Sequence, residues 1–349
     1  MEIINSKKSK LKNVDFNNLS FGTFFSDHMF MCKYSNGSWK NPKILPYGSI
    51  SLDPSISSLH YGQAVFEGMK AYKDSKGKVW LFRPEENFER MNKSSLRLNI
   101  PELPKDLFFK GLTNLLRIDS EWIKPGIGNS LYIRPFIFAS SPNLQAAPSK
   151  EYMFFIICCP VKSYGYKGRV DVLISEKYSR AANGGVGYAK AAGNYAAQFY
   201  PTSLAEKEGC NQIIWTDANN HEYLEEAGTM NVFFRINDTL ITSPLNDRIL
   251  DGITRKSTIQ LADSLKIKTE VRPIKVEEII SSHKKGELKE IFGAGTAVVI
   301  CPISSFKVND KKYEISQVEN SFADILKEKI TSIQYNLIDD PFGWRFPVN

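Results

Sequence analysis

The chain has 349 residues, 42% hydrophobic and 24% charged, with 45 Lys+Arg against 38 Asp+Glu for a net charge of +7. These proportions are the globular average: they exclude disordered, collagen-like and disulfide-scaffold classes, and the length suggests two domains. No apolar run approaches the roughly 18 residues of a membrane span, the best candidate being the strand-length stretch Phe154–Val161.

The remaining composition narrows the class further. Charges of both signs are interspersed, whereas a nucleic-acid binder gathers its bases on one stripe with aromatics between them. Lys7, Lys8, Lys10 and Lys12 form the one basic run, which reads as a solvated tail. Five cysteines without a C-x-x-C pair argue against a disulfide framework and for a reducing compartment, the cytoplasm.

Short apolar or alternating runs predict strands at His28–Tyr34, Val79–Phe82, Leu131–Phe138, Tyr152–Cys159 and Val170–Ser175. Helical periodicity marks Glu85–Leu98, Lys105–Leu116, Ala192–Glu208, Ile253–Leu265 and Val318–Ile333. Further strands are predicted at Gln212–Trp215, Met230–Arg235, Lys268–Val271, Glu290–Phe292 and Ala297–Ile300. The order gives a mixed α/β chain without regular strand–helix alternation, which disfavours an eight-fold barrel or a plain doubly wound sheet. A polar, glycine-bearing stretch after the apolar strand places the domain boundary near Gly165–Arg180.

Several chemistries drop out. The sequence has no Walker phosphate loop, no G-x-S-x-G elbow and no H-E-x-x-H, and the four histidines (28, 60, 221 and 283) stand far apart. Gly185 and Gly187 are followed by Lys190 where a dinucleotide fingerprint needs its third glycine.

Lys190 is the sole charged residue from Ala181 to Ala205, where average composition would place about six. A lysine in such surroundings favours its neutral, nucleophilic form and suits Schiff-base chemistry with a carbonyl, although a helix-start lysine reaching for water would look the same. Three later segments bear on that choice. Glu225 and Glu226 precede an apolar strand, so alternation turns one of them inward, where it needs a cation. Asp251–Arg255 opens a helix with a glycine and a threonine, and Gly293–Ala297 is a second glycine-rich turn bearing Thr296. Such elements offer N–H donors to a phosphate dianion. A reactive amine, a buried acid and a phosphate cup are together what pyridoxal phosphate requires.

The strings FEGMKAY, ENFERM, SLYIRP, GYAKAAGNY, EEAGTMN, GITR, GAGTAVVICP and SIQYN occur in this order over about residues 20–343. In them the chain resembles the branched-chain amino acid aminotransferases, a fold-type-IV pyridoxal-phosphate family. The resemblance implies a smaller N-terminal α/β domain over 1–165, a loop over 166–180 and a larger pseudo-barrel cofactor domain over 181–349. It implies Lys190 as the Schiff-base lysine that also shuttles the proton, and Glu226 as partner of the pyridine nitrogen, with Glu225 facing away. Tyr195 would donate to the phenolic oxygen of the cofactor. Arg90, Ile253, Thr254 and Thr296 would hold the phosphate, Arg90 in bidentate fashion. Thr229 and the Ala297 amide would lie on the substrate carboxylate side.

By the same resemblance Phe21, Phe66, Tyr132 and Tyr164 would wall the side-chain pocket. Tyr61, Leu144 and Ala146 would reach in from a second subunit, so a homodimer is implied. Arg134, on the same strand face as Tyr132, would take the second carboxylate of 2-oxoglutarate. The substrates implied are branched-chain L-amino acids, 2-oxoglutarate and L-glutamate, with no nucleic acid, membrane or metal involved. Two positions depart from relatives. Val298 stands where many mammalian members carry the first cysteine of a redox C-x-x-C ending at Cys301, so that switch is not expected; Cys158, Cys159 and Cys301 read as core residues. Ala146 replaces a larger aliphatic. D-amino-acid aminotransferases and aminodeoxychorismate lyases share the fold but are shorter and lack the SLYIRP strand. A cofactor-free lyase would leave Glu226 and the phosphate turns without work, and a non-catalytic relative would have lost the lysine, acid or arginine.

Overall fold

A computed structural model describes residues 1–162 and 168–348. The chain divides into two compact units: Met1–Tyr164 with Ala189–Gly193 and Ser332–Asn349, and Gly165–Tyr188 with Asn194–Thr331. The sequence-based division differs, because it assigns the Lys190 segment and the C-terminal residues to the second domain. The physical reason is backbone pairing. Phe66 N–H donates to the Lys190 carbonyl (3.1 Å) and Ala192 N–H to the Ala64 carbonyl (3.0 Å). At the other end, Arg345–Val348 pairs antiparallel with Val79–Phe82.

The first unit is built on a nine-stranded sheet whose centre is the long antiparallel pair Asn129–Ala139 and Tyr152–Lys162. One face is covered by the helices Pro84–Arg97 and Lys105–Ile118 over a core that includes Phe30, Phe108, Leu112, Phe154 and Trp122. Helix and sheet approach closely at Gly111, where an added Cβ would stand 2.9 Å from the Phe30 ring. The second unit holds a closed ring of six strands: Leu224–Ala227, Gln212–Thr216, Val170–Ile174, Val299–Val308, Leu288–Gly295 and Asn231–Ile236, the last returning to the first. Its interior is filled by residues such as Val172, Ile214, Phe234, Ile291 and Phe306. Closure leaves few strand edges exposed. The architecture is a mixed α/β arrangement with a barrel-like sheet.

Two predicted helices are cut short. Ala192–Glu208 becomes Gly193–Ala196 and Phe199–Lys207, because Pro201 lacks an N–H and fits only in a first helical turn. Val318–Ile333 begins at Phe322 instead, after Asn320 in a left-handed conformation; there Phe322 N–H and Ala323 N–H donate to Glu290 (2.9 and 3.2 Å). The predicted Gly293–Ala297 turn also moves: Gly293–Gly295 finish the strand Leu288–Gly295 and the turn follows at 296–298. The five cysteines are buried thiols, consistent with core roles for Cys158, Cys159 and Cys301.

Candidate active site

In the first unit Lys190 is held by its backbone. Its N–H donates to Ser94 Oγ (2.9 Å), its carbonyl accepts from Phe66, and Ala191 bridges Val65. With the main chain fixed on both sides, the side chain leads to an amine 4.8 Å from the Phe66 ring centroid. The Arg134 guanidinium lies 4.6 Å from that same ring and donates to Tyr132 Oη (3.0 Å). Tyr132 and Arg134 share a strand face, as period-2 alternation requires. Phe21 packs edge-on against Tyr132 at 5.0 Å between centroids. Gly68 makes room for this group, since a Cβ there would stand 2.2 Å from Tyr132 Oη. Phe21, Phe66, Tyr132, Arg134 and Lys190 are thus one cluster.

Behind them Glu67 is completely buried and takes Arg90 bidentately, Oε1 from Nε (2.7 Å) and Oε2 from a terminal nitrogen (2.9 Å). Asn87 Nδ2 adds a third contact at 2.7 Å. Burial alone would raise the Glu67 carboxyl, but the charge and hydrogen bonds of Arg90, with help from Lys190 and Asn87, hold it below its ordinary value. The bidentate partner of Arg90 in this structure is therefore a carboxylate of its own unit, where the sequence reading gave that geometry to a phosphate. Tyr61 and Leu144 are both exposed and joined by a hydrogen bond from Tyr61 Oη to the Leu144 carbonyl (2.7 Å), with Ala146 exposed nearby in the chain. Tyr164 lies outside the described residues.

In the second unit Glu226 is buried on the strand Leu224–Ala227 and pairs at 2.6 Å with Arg180, whose side chain is buried as well. Asn231 Nδ2 and Leu250 N–H donate to its other oxygen (3.0 and 3.2 Å). Glu225 points to the opposite face as alternation demands, but it too is buried and is paired with Arg248. Asn231 also donates to the Leu250 carbonyl (2.9 Å), which ties the carboxylate to the approach of the helix Ile253–Ser264. That helix starts with Ile253 and Thr254 buried, no side chain capping it and no acid in its first turn. Its N–H groups and positive dipole end suit a dianion. Thr296 and Ala297 are half-buried in the turn beyond Gly295, and a Cβ on Gly295 would stand 3.1 Å from the Thr229 carbonyl, so Thr229, itself exposed, neighbours this turn. Tyr195 is half-buried and its carbonyl accepts Gln198 N–H (3.2 Å).

Sequence reasoning missed Glu67, Asn87, Ser94, Arg180 and Asn231. The isolated acid in the apolar run Ala64–Met69 was a signal for Glu67, since a carboxylate there must find a buried cation. Arg180 carried no signal, standing in what read as a loop.

The chain matches the family Amino-transferase class IV over residues 64–306. It is 43% identical over 348 residues to "Branched-chain-amino-acid aminotransferase 2" of Bacillus subtilis strain 168, covering 99% of this chain and 95% of that one. The chain belongs to the branched-chain-amino-acid aminotransferases. Among solved structures of the family, the branched-chain aminotransferase of Thermoproteus uzoniensis with norvaline matches with a TM-score of 0.76 at 23% identity, over 92% of this chain and all of that one. The branched-chain amino acid aminotransferase of Thermobaculum terrenum in its PLP-form gives 0.74 at 21%, over 92% and 98%. These two likenesses concern the fold.

Class IV aminotransferases use pyridoxal phosphate. The residues present fit it: an amine with a fixed backbone, a buried carboxylate in contact with a buried cation, and an uncapped helix N-terminus tied to that carboxylate through Asn231. No described helix is long and apolar enough to cross a membrane.

Proposed function

We propose that this aminotransferase moves the amino group of L-leucine, L-isoleucine and L-valine to 2-oxoglutarate, reversibly and in two half-reactions, through the residues named above. The observation that carries the reading is the Phe66 ring, against which both the Lys190 amine and the Arg134 guanidinium rest in an aromatic cluster. An apolar wall beside an amine accepts an aliphatic side chain. A guanidinium held by a tyrosine hydroxyl in that wall gives the second carboxylate of 2-oxoglutarate a partner. One pocket thereby serves both substrates.

When bound, pyridoxal phosphate supplies an aldehyde for the incoming amine and a protonated ring that draws off the electrons left at the substrate Cα. Lys190 would hold the cofactor through its amine, and once the substrate amine has displaced it, the freed amine would take the proton from the substrate Cα and return it to the other side of the reacting system. Glu226 would hold the proton on the ring nitrogen, with Arg180 as the cation that orients its carboxylate. Tyr195 donates to the phenolic oxygen. Ile253, Thr254 and Thr296 would take the phosphate, and Arg90 would join them while its bidentate partner remains Glu67. Thr229 and the Ala297 amide would face the substrate carboxylate, and Phe21, Phe66 and Tyr132 would exclude water from the side chain. Tyr61, Leu144 and Ala146 serve the neighbouring subunit of a homodimer, which accounts for two large apolar residues left exposed on one chain. The protein works in the cytoplasm.

The test is substrate-resolved kinetics with L-leucine, L-glutamate and a D-amino acid. The reading expects turnover with both L-substrates and none with the D-isomer. Activity confined to the D-amino acid would refute it.

A further inference from the structure

Residues 10–27 form an excursion whose two ends meet beside the strand that starts at His28. Asp27 Oδ1 accepts Lys10 N–H (2.7 Å), and Oδ2 accepts Ser9 Oγ–H (2.6 Å) and Trp122 Nε1–H (2.9 Å). One buried carboxylate therefore joins both ends of an 18-residue excursion, counting Lys10 through Asp27. Next to it, Ser6 N–H donates to His28 Nε2 (2.9 Å), while His28 Nδ1 meets buried Asp119 (2.6 Å). Beyond this neck the chain is shallowly seated. Residues 20–24 are all exposed, and Phe16 and Phe25 reach back to Trp122 and Tyr47. Phe21, on the exposed arc, is the residue that crosses to Tyr132.

Leu11, Val14, Phe16 and Phe25 are partly buried against the core and Lys162 Nζ donates to Asn17 Oδ1 (2.6 Å), while the exposed arc at 20–24 depends in addition on what closes the ends of the loop. We propose that Asp27 is a positioning residue for the substrate wall: it clasps the neck of a loop whose function is to lay Phe21 on Tyr132. Asp27 itself makes no contact with the cluster and acts through that loop. Its carboxyl lies below its ordinary value even though burial raises it, because Lys10, Ser9 and Trp122 all donate to it, so the clasp is ionised across the working pH range. This inference rests on the reading of Phe21 as pocket wall.

The test compares Phe21→Ala, Asp27→Asn, Ser9→Ala and the double variant Asp27→Asn/Phe21→Ala in steady-state kinetics with L-leucine. Ser9→Ala loosens the neck without touching the Trp122 bond, so it guards against a folding defect in the Asp27 variant. A positioning role expects KM raised about tenfold by Phe21→Ala and Asp27→Asn, and several-fold by Ser9→Ala, with kcat within about twofold. The double variant should be no worse than Phe21→Ala alone, since both remove one contact. If Phe21→Ala leaves KM unchanged, the wall reading fails. If Phe21→Ala raises KM while the neck variants do not, or if the losses multiply in the double variant, the wall stands and the clasp is refuted.

Discussion

Glu67→Gln is the sharpest structural perturbation. Every group on the Glu67 carboxylate is a donor: Arg90 Nε on Oε1, and on Oε2 a terminal Arg90 nitrogen, Asn87 Nδ2 and Gly68 N–H. A glutamine amide, in either orientation, turns an NH2 toward a donor and leaves the buried Arg90 charge without its counter-ion. Removing one member of a buried pair costs about 3–5 kcal/mol, which lowers Tm by on the order of 10 °C. The pH dependence fixes the sign. The folded carboxyl lies below its ordinary value of 4.5, so its contribution is complete above that value and fades as pH falls through the lower, folded one. Circular-dichroism melts should therefore show a constant gap between wild type and Glu67→Gln from about pH 8 to about 6, narrowing below about 4.5. Glu67→Gln/Arg90→Met, which removes the stranded charge, should recover at least part of the loss. A single variant melting within about 2 °C of wild type, or a gap that widens in acid, would refute the reasoning.

Glu226→Ala should slow turnover by about three powers of ten, roughly 1.4 kcal/mol of barrier each, and Arg180→Met should cost a smaller part of the same loss; near-normal rates in Glu226→Ala would move the assignment to Glu225. Arg134→Ala should raise KM for 2-oxoglutarate far more than for L-leucine, since only the dicarboxylate needs the guanidinium, and equal losses would make Arg134 structural. Glu290→Ala removes the acceptor of the first N–H groups of the helix Phe322–Gln334 and also the buried partner of Arg235, and should cost about 3–5 kcal/mol in denaturant melts; an unchanged midpoint would remove both contacts from the account.

Much of the frame was legible because its signals are local. The helices Pro84–Arg97 and Lys105–Ile118 and the strand Asn129–Ala139 carry their apolar period and their stops within a few residues. The strand Ser38–Pro46 was not legible: it holds two prolines and a polar start, which argue against a strand, yet it pairs along Tyr34, Phe30 and His28. The Lys190 segment was marked by its uncharged surroundings, but it pairs with Ala64–Phe66 from far along the chain, and no local pattern reports such a contact. Arg90 illustrates the same limit: the helix face was readable, the buried Glu67 across from it was not. Alternation did separate Glu225 from Glu226, though not the fact that each has a cation of its own.

The central claim is that Lys190 is the amine through which this chain exchanges amino groups between branched aliphatic and dicarboxylic substrates. The direct measurement is the visible spectrum of the protein loaded with pyridoxal phosphate, wild type beside Lys190→Ala, taken before and after L-leucine and then after 2-oxoglutarate. The account predicts a yellow wild-type protein that bleaches with L-leucine, releases one equivalent of the branched 2-oxo acid and recovers its colour with 2-oxoglutarate, while a folded Lys190→Ala does none of this catalytically. A wild-type spectrum indifferent to L-leucine, or a Lys190→Ala variant that still turns over, would contradict it.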